Sequence, residues 1–257
     1  MFQKNFRFFL LASVLLLTMA GCAGVGTLTD SRPVEAVVHA AEEAVKAGDY
    51  AGAARLYAVV INKEPGVGRH YLRQAELLER LGKESDARHS YRQGLAVVVR
   101  TDPDRGQLVH RAALLEAKNR AHLDIAEHLV ARMPARSVEL FDTTAFLYYQ
   151  SGQYDRALEL LRKALGKAYH ADQKGLLLYH MALVYAGLKD RDNTFGALYY
   201  ALNHVEHLGV VRDIETFWRT LNDPALADLD RWPPGGEQCV EAEQAVVGRA
   251  RMITIDY

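Results

Sequence analysis

Ten histidines and two cysteines are the side chains of this sequence best suited to hold a metal ion or to act as nucleophiles. His204 and His207 fall on one helical face with Glu206 beside them, and His122 and His128 share one helical stretch. Neither pair has the i, i+4 spacing that lets two imidazoles of a helix share a zinc ion. The expectation is therefore surface histidines and no metal. Phosphate chemistry would need a glycine-rich loop between strand and helix, but the GVG stretches at Gly24 and Gly66 lack the later glycine and the strand. There is no G-x-S-x-G and no paired C-x-x-C. These absences predict a protein that is not an enzyme, with no catalytic residue and no cofactor.

Cys22 and Cys239 sit in different settings, one ending an apolar leader and the other in a tail punctuated by glycine and proline, so a disulfide framework is dismissed. Lys4 and Arg7 open the chain, and the apolar run Phe8 to Ala20 is 13 residues long. At 1.5 Å per residue that run spans roughly 20 Å, short of the ~30 Å hydrocarbon layer, and it reads as a secretory leader over residues 1–21. Its end, Met19-Ala20-Gly21-Cys22, resembles the lipobox of bacterial lipoproteins, although Leu is more usual at the place of Met19. The resemblance implies cleavage before Cys22 and acylation of its sulfur. One acyl chain binds a bilayer only marginally, and stable anchoring takes at least two. Ala23, where Asp would direct inner-membrane retention in enterobacterial lipoproteins, implies a lipid-anchored protein of the outer membrane facing the periplasm. Residues 22–33 form a linker with no apolar periodicity, spanning about 18 Å as a flexible coil.

Stepping from this anchor into the body of the chain, the stretch GDYAGAARLYAVVINKEP places Gly48, Tyr50, Ala53, Tyr57, Val60 and Pro65 at intervals that resemble the second half of a tetratricopeptide repeat. The frame begins at Val34 and recurs 34 residues later at Gly68 with Gly82, Ala87, Tyr91 and Gly94. A unit from Val138 carries Phe141, Ala145, Tyr148, Gly152, Tyr154, Ala157, Leu161 and Ala164 in register. Weaker units start at Gln107, with Ala126 but no turn glycine, and at Gly175, with Ala182, Tyr185, Leu198 and Ala201 but Thr194 where Ala is usual. TDPDRG, Thr101 to Gly106, is the longest insertion. The resemblance implies an all-α fold: a right-handed superhelical α-solenoid of about five helix hairpins over residues 34–208. Small residues let the two helices of a unit cross closely, and large ones fill the gap to the next unit. Ordering 34 residues costs on the order of 50 kcal/mol, more than one hairpin recovers, so the units must stack.

Val210 to Leu221 is amphipathic again, and Asp223-Pro224 reads as the cap and first residue of another helix closing in Leu229 to Pro233. Residues 209–232 are thus expected to be capping helices that cover the last apolar face, as in some bacterial repeat arrays. The tail 233–257 ends in a short alternating run that reads as an edge strand or as disorder.

Family geometry implies a concave wall built from the first helix of each unit. Its lower part is charged, with Glu35, Glu42 and Lys46, then Arg69, Glu76, Glu79 and Arg80, then Arg111, Lys118 and Asn119. Its upper part, Asp142, Phe146, Tyr149, Leu176, Tyr179 and Leu183, is largely aromatic and apolar and looks like a peptide groove. The other occupant open to this wall is the chain's own linker, tail or final helices. With 31 basic against 32 acidic residues the chain offers polyanions nothing, so nucleic acid is not expected as a partner. The leading expectation is a membrane-tethered adaptor that binds a protein or peptide of the cell envelope, serving pilus or secretion systems, outer-membrane assembly or cell-wall enzymes. Two alternatives remain: a self-assembling structural lipoprotein joined through its end cap or through Tyr199 and Tyr200, and an enzyme or small-ligand receptor using the histidines of the wall.

Overall fold

In the computed structural model, residues 30–222 are described, and they are helical with no strand among them. The leader, Cys22, Cys239, the helix expected at Asp223 and the tail 233–257 lie outside the described residues. No described helix is long and apolar enough to cross a membrane.

Five hairpins follow one another: α1 (Val34–Lys46) with α2 (Tyr50–Lys63), α3 (Gly68–Arg80) with α4 (Glu84–Val97), α5 (Arg105–Ala117) with α6 (Leu123–Val130), α7 (Val138–Gln150) with α8 (Tyr154–Leu165), and α9 (Ala171–Gly187) with α10 (Arg191–His204). A last helix, α11 (Leu208–Asn222), follows after three residues. Three units start where the repeat frame places them. The third begins at Arg105 instead of Gln107, and the fifth begins at Ala171, a turn before Gly175.

The frame is visible in burial. Ala41, Ala75, Ala145 and Ala182 on the first helices, and Ala53, Ala87, Ala126, Ala157 and Thr194 on the second, are all fully buried where the two helices of a unit cross. Thr194 takes an alanine's place because its Oγ1 donates to the carbonyl of Asp190 at 2.6 Å, so no buried donor is left unmet. Tyr71 and Tyr91, both fully buried, fill the spaces between units. The Tyr71 hydroxyl also donates to the Pro65 carbonyl at 3.0 Å, tying the second unit to the end of the first. One apolar core runs unbroken from Leu114 of α5 to Leu221 of α11, so no hairpin in that stretch has a core of its own. That is the condition under which stacking, not the single hairpin, is the unit of stability.

Turns within the first, second, fourth and fifth hairpins share one mechanism, whereas α5 and α6 are joined through a 3-10 turn. After α1, the Asp49 N–H donates to the Ala44 carbonyl and the Gly48 N–H to that of Val45, a pattern that needs a left-handed residue at position 48. Gly48, Gly82 and Gly152 supply it with φ of 76°, 74° and 73°. The fifth unit closes the same way, with the Asp190 N–H donating to the Tyr185 carbonyl, but its left-handed residue is Lys189, at φ 61°. Asp49, Ser137 and Asp190 then cap the helices that follow, each accepting a backbone N–H three residues on. The long insertion before α5 is tied back through Asp102, whose Oδ2 accepts from the Gly68 N–H at the start of α3, 3.3 Å away.

A side chain in the left-handed region costs about 1–2 kcal/mol, part of which glycine returns as entropy of the unfolded chain. Lys189→Gly is therefore expected to stabilise the protein by about 0.5–1 kcal/mol, read as a higher denaturation midpoint in urea. A lower midpoint would show that the turn is not under strain.

Candidate functional site: the concave wall and the helix that crosses it

The wall is occupied. Instead of remaining on α10, α11 lies across the face of the first helices, with its chief contact on α3. Its apolar stripe, Val210, Ile214 and Leu221, is buried, with Phe217 and Trp218 partly so. Phe217 meets the Tyr179 ring edge-on at 6.3 Å, and Trp218 meets Phe195 of α10 at 5.3 Å.

Charge holds the flanks and the near end. Arg80 Nη1 reaches Glu215 Oε2 at 2.8 Å, and Lys118 Nζ reaches Asp213 Oδ2 at 2.6 Å. Arg212 donates to the carbonyl of Glu79 at 3.2 Å. The first turn of a helix has backbone N–H groups with no partner of their own. Here Glu76 of the wall takes the Leu208 N–H at 2.9 Å and His207 Nδ1 that of Val210 at 3.4 Å, while in the link before the helix Asp172 Oδ1 takes those of Glu206 and His207 at 2.7 and 3.0 Å. The other oxygen of Asp172 pairs with Arg111 at 3.1 Å. Gly175 belongs to this junction, because a Cβ there would stand 2.5 Å from the backbone nitrogen of Val205 in the α10–α11 link.

Burial and neighbouring charge set the protonation of the groups beneath α11. Burial raises the Glu79 pKa, against the pull of Lys118 and a 2.7 Å hydrogen bond from the Tyr91 hydroxyl. Burial would lower that of Lys118, but Asp213 and Glu79 outweigh it and the value is raised. Burial, followed by the positive field of Arg111, Lys118, Arg73 and His110, pushes His207 well below the usual imidazole value.

Behind the aromatic part of the wall sits a second network. Asp142, 1% exposed, accepts from or pairs with His110 Nε2 at 3.0 Å and His180 Nδ1 at 2.7 Å. Burial alone would raise its pKa, but the attraction of His180 and the two hydrogen bonds hold the carboxyl far below the ordinary carboxylate range. The Phe146 ring covers His180 at 4.8 Å. A carboxylate between two imidazoles can in principle relay a proton. Here all three side chains are buried, at 8% exposure or less. The network ties α5, α7 and α9 together.

Of the residues expected to line a groove, the structure brings most together but leaves few open. Phe146, Tyr179 and Leu183 are buried, Tyr149 is half-buried at 5.7 Å from Phe146, and Asp142 lies beneath them. Arg111 and Lys118 are engaged with Asp172 and Asp213. Asn119 stands apart: it is exposed, and its side chain accepts the Ala121 N–H, capping the single 3-10 turn before α6. The sequence did not single out Asp172, Asp213 or Glu215, and it set His207 on one helical face with His204, whereas α10 ends at His204 and His207 lies in the link to α11. The one available signal was the pair of carboxylates set beside the apolar stripe of an amphipathic segment, opposite two cations of the wall.

Among the described residues no group of three or more His, Cys, Asp or Glu side chains gathers as a metal site would require. His122 is bound to Glu116 at 2.8 Å, and His204 to the carbonyl of Tyr200 at 2.8 Å. One cavity borders the link before α11 and another the start of α11 itself. The first, of about 280 Å³, is polar and lies between Arg69, Arg73, Glu76, Arg111, Asp172 and His207. The other, of about 220 Å³, lies between Glu42, Val45, Tyr57, Leu77 and Leu208.

Stacked hairpins with buried small residues at each crossing define an α-solenoid of the tetratricopeptide kind. The same arrangement occurs in a solved tetratricopeptide-repeat structure, that of the APC/C hetero-tetramer Cut9-Hcn1: TM-score 0.52 at 14% identity, over 84% of this chain and 42% of that one. The chain thus spans less than half the length of that relative, and the likeness is one of fold. No protein-family profile matches the sequence, and no curated protein matches it.

Two outcomes follow for acid. Asp142, depressed when folded, contributes stability that is whole above the unfolded value of about 4 and is lost as pH falls toward the folded one. Hydrogen bonds to charged groups contribute about 1.5–3 kcal/mol each, so Asp142→Asn should cost about 2–3 kcal/mol at pH 7 and about 1 kcal/mol less near pH 3, by urea unfolding at both pH values. A cost independent of pH would mean that the carboxyl is not ionised in the fold.

His207, depressed and so neutral when folded, contributes stability complete above about pH 6.5 and lost as pH falls below it. Amide exchange across Leu208–Asn222, corrected for its intrinsic pH dependence, should speed up between pH 7 and 5 in the wild type and stay flat in His207→Gln.

Proposed function

We propose that this protein is a lipid-anchored adaptor of the cell envelope. Acyl groups on Cys22 hold it at a membrane, the outer membrane facing the periplasm, and the helical stack recruits another protein without catalysing a reaction. The observation that carries the reading is the wall itself: an apolar and aromatic floor between two rails of charge, shaped to receive an amphipathic helix, as α11 demonstrates. Repeat solenoids of this form use such concave surfaces for binding. Part of the wall stays open, since Glu42 and Lys46 are exposed beside the apolar cavity at Leu208. Recruitment of a secretion, outer-membrane assembly or cell-wall protein fits this surface equally well.

Self-assembly is a second reading, favoured by Tyr199 and Tyr200, which stand 36% and 56% exposed on α10 with their rings 5.3 Å apart. A mass that rises with concentration, and falls back in Tyr200→Ser, would select it.

A photo-crosslinking residue at Glu42 or Lys46 of the full-length protein in intact cells should capture one envelope protein that the same residue at exposed Lys163 does not. Globomycin should block processing of the precursor, and Cys22→Ser should leave the membrane fraction. Identical capture from both faces would remove the adaptor reading, and a processed, membrane-bound Cys22→Ser protein would remove the tether.

A further inference from the structure

We propose that the groove bounded by α3, α5 and α9 is a docking site for an amphipathic helix of the partner protein, and that α11 is its intramolecular stand-in. The proposal deepens the adaptor reading and rests on it.

Four observations point to an exchangeable occupant. The link from α10 to α11 is only three residues long, yet the hydrogen bonds and ion pairs of α11 to α3 join residues more than 130 positions apart in sequence: Leu208 with Glu76, Arg212 with Glu79, and Glu215 with Arg80. The acceptors for the start of the helix belong to the groove. Glu76 would accept the first N–H of any helix that entered in this direction, and Asp172 the two N–H groups of the residues that precede it. The rails select by charge, with Lys118 and Arg80 facing Asp213 and Glu215. The fit of α11 is incomplete, because Glu215 Oε1 is buried with no hydrogen-bond partner. A buried acceptor left unmet is a cost that a different helix need not carry.

These contacts define the ligand: a helix with apolar residues at the spacing of Val210, Ile214, Phe217 and Leu221, and carboxylates at the spacing of Asp213 and Glu215. Tethered α11 competes with it at an effective concentration of about millimolar, so the partner binds weakly until α11 lets go.

The test uses the full chain and, as probe, a fluorescent peptide of residues 205–222. Asp213→Lys combined with Glu215→Lys sets the chain's own helix against Lys118 and Arg80 while leaving its apolar stripe intact. Ile214→Asp weakens the same docking by a different route. Each altered chain should bind the peptide about tenfold or more tightly than the wild-type chain by fluorescence anisotropy, because the tethered competitor is gone. Adding Lys118→Asp to the double variant should abolish that binding. A peptide carrying the two lysine substitutions should bind neither altered chain.

The proposal is overturned if both altered chains keep their helical circular dichroism and still bind the peptide no better than wild type. Binding that ignores Lys118 overturns it too. If both altered chains lose the folded state, α11 is an obligatory part of the fold and the proposal fails; if they pair by exchanging α11 between copies, the groove serves self-assembly and it fails likewise. Should the peptide fail while crosslinking at Glu42 still captures an envelope protein, the adaptor reading stands and only the helix site is lost.

Discussion

The close crossing of two helices within each unit is the constraint from which the rest of this structure follows. It requires a residue no larger than alanine or threonine on the second helix, and Ala53, Ala87, Ala126, Ala157 and Thr194 meet it at zero exposure. Once the helices approach this closely, each hairpin becomes a thin wedge with apolar surface on both sides. Neither side can be buried from within, so the wedges stack, and the first helices align into a wall. The wall's chemistry is then set by residues with no part in the crossing: cations and carboxylates on α3 and α5, aromatic rings on α7 and α9.

A wall with an apolar floor needs a cover, and α11 provides one from within the chain. Its contribution divides between burial of Val210, Ile214 and Leu221 and a set of polar contacts along the groove's edges. Exposed ion pairs contribute little, about 0–1 kcal/mol. These pairs are better shielded, with Arg80 at 8% and Glu215 at 15% side-chain exposure, and they fix the direction and register of the helix as well as its affinity. The carboxylates at its start do the same, since a reversed helix would meet Glu76 and Asp172 with its carbonyl end.

Much of the architecture was legible in the residues. Small residues at a fixed interval, turn glycines and a large aromatic after each crossing placed three of five unit starts at Val34, Gly68 and Val138. The third unit starts at Arg105, after an insertion that Asp102 ties to α3, a contact no local pattern announces. The fifth moved to Ala171 because nothing in Ala171-Asp172-Gln173-Lys174 resists helix, and Gly175 proved to be an interior residue where another segment passes closely. Lys189 took a turn usually given to glycine, which a search for glycine cannot find. The wall's residue types were legible too, and its cover by the chain's final helices was legible only as one of the occupants left open. An amphipathic stripe says that Val210–Leu221 buries one face and leaves open what it is buried against; that choice was made by cations and carboxylates scattered from Glu76 to Asp172.

The path of α11 also bears on how the protein comes apart. A solenoid whose units touch only their neighbours can fray from either end, one unit at a time, with stability that is a sum of local terms. Here the last described helix of the chain grips the second unit, so the array is closed like a belt through its buckle. Peeling the fifth unit away together with α11 breaks contacts with α3 as well as with α8, and long-range closure of this kind favours unfolding as one cooperative event and slower folding than the hairpins alone would show.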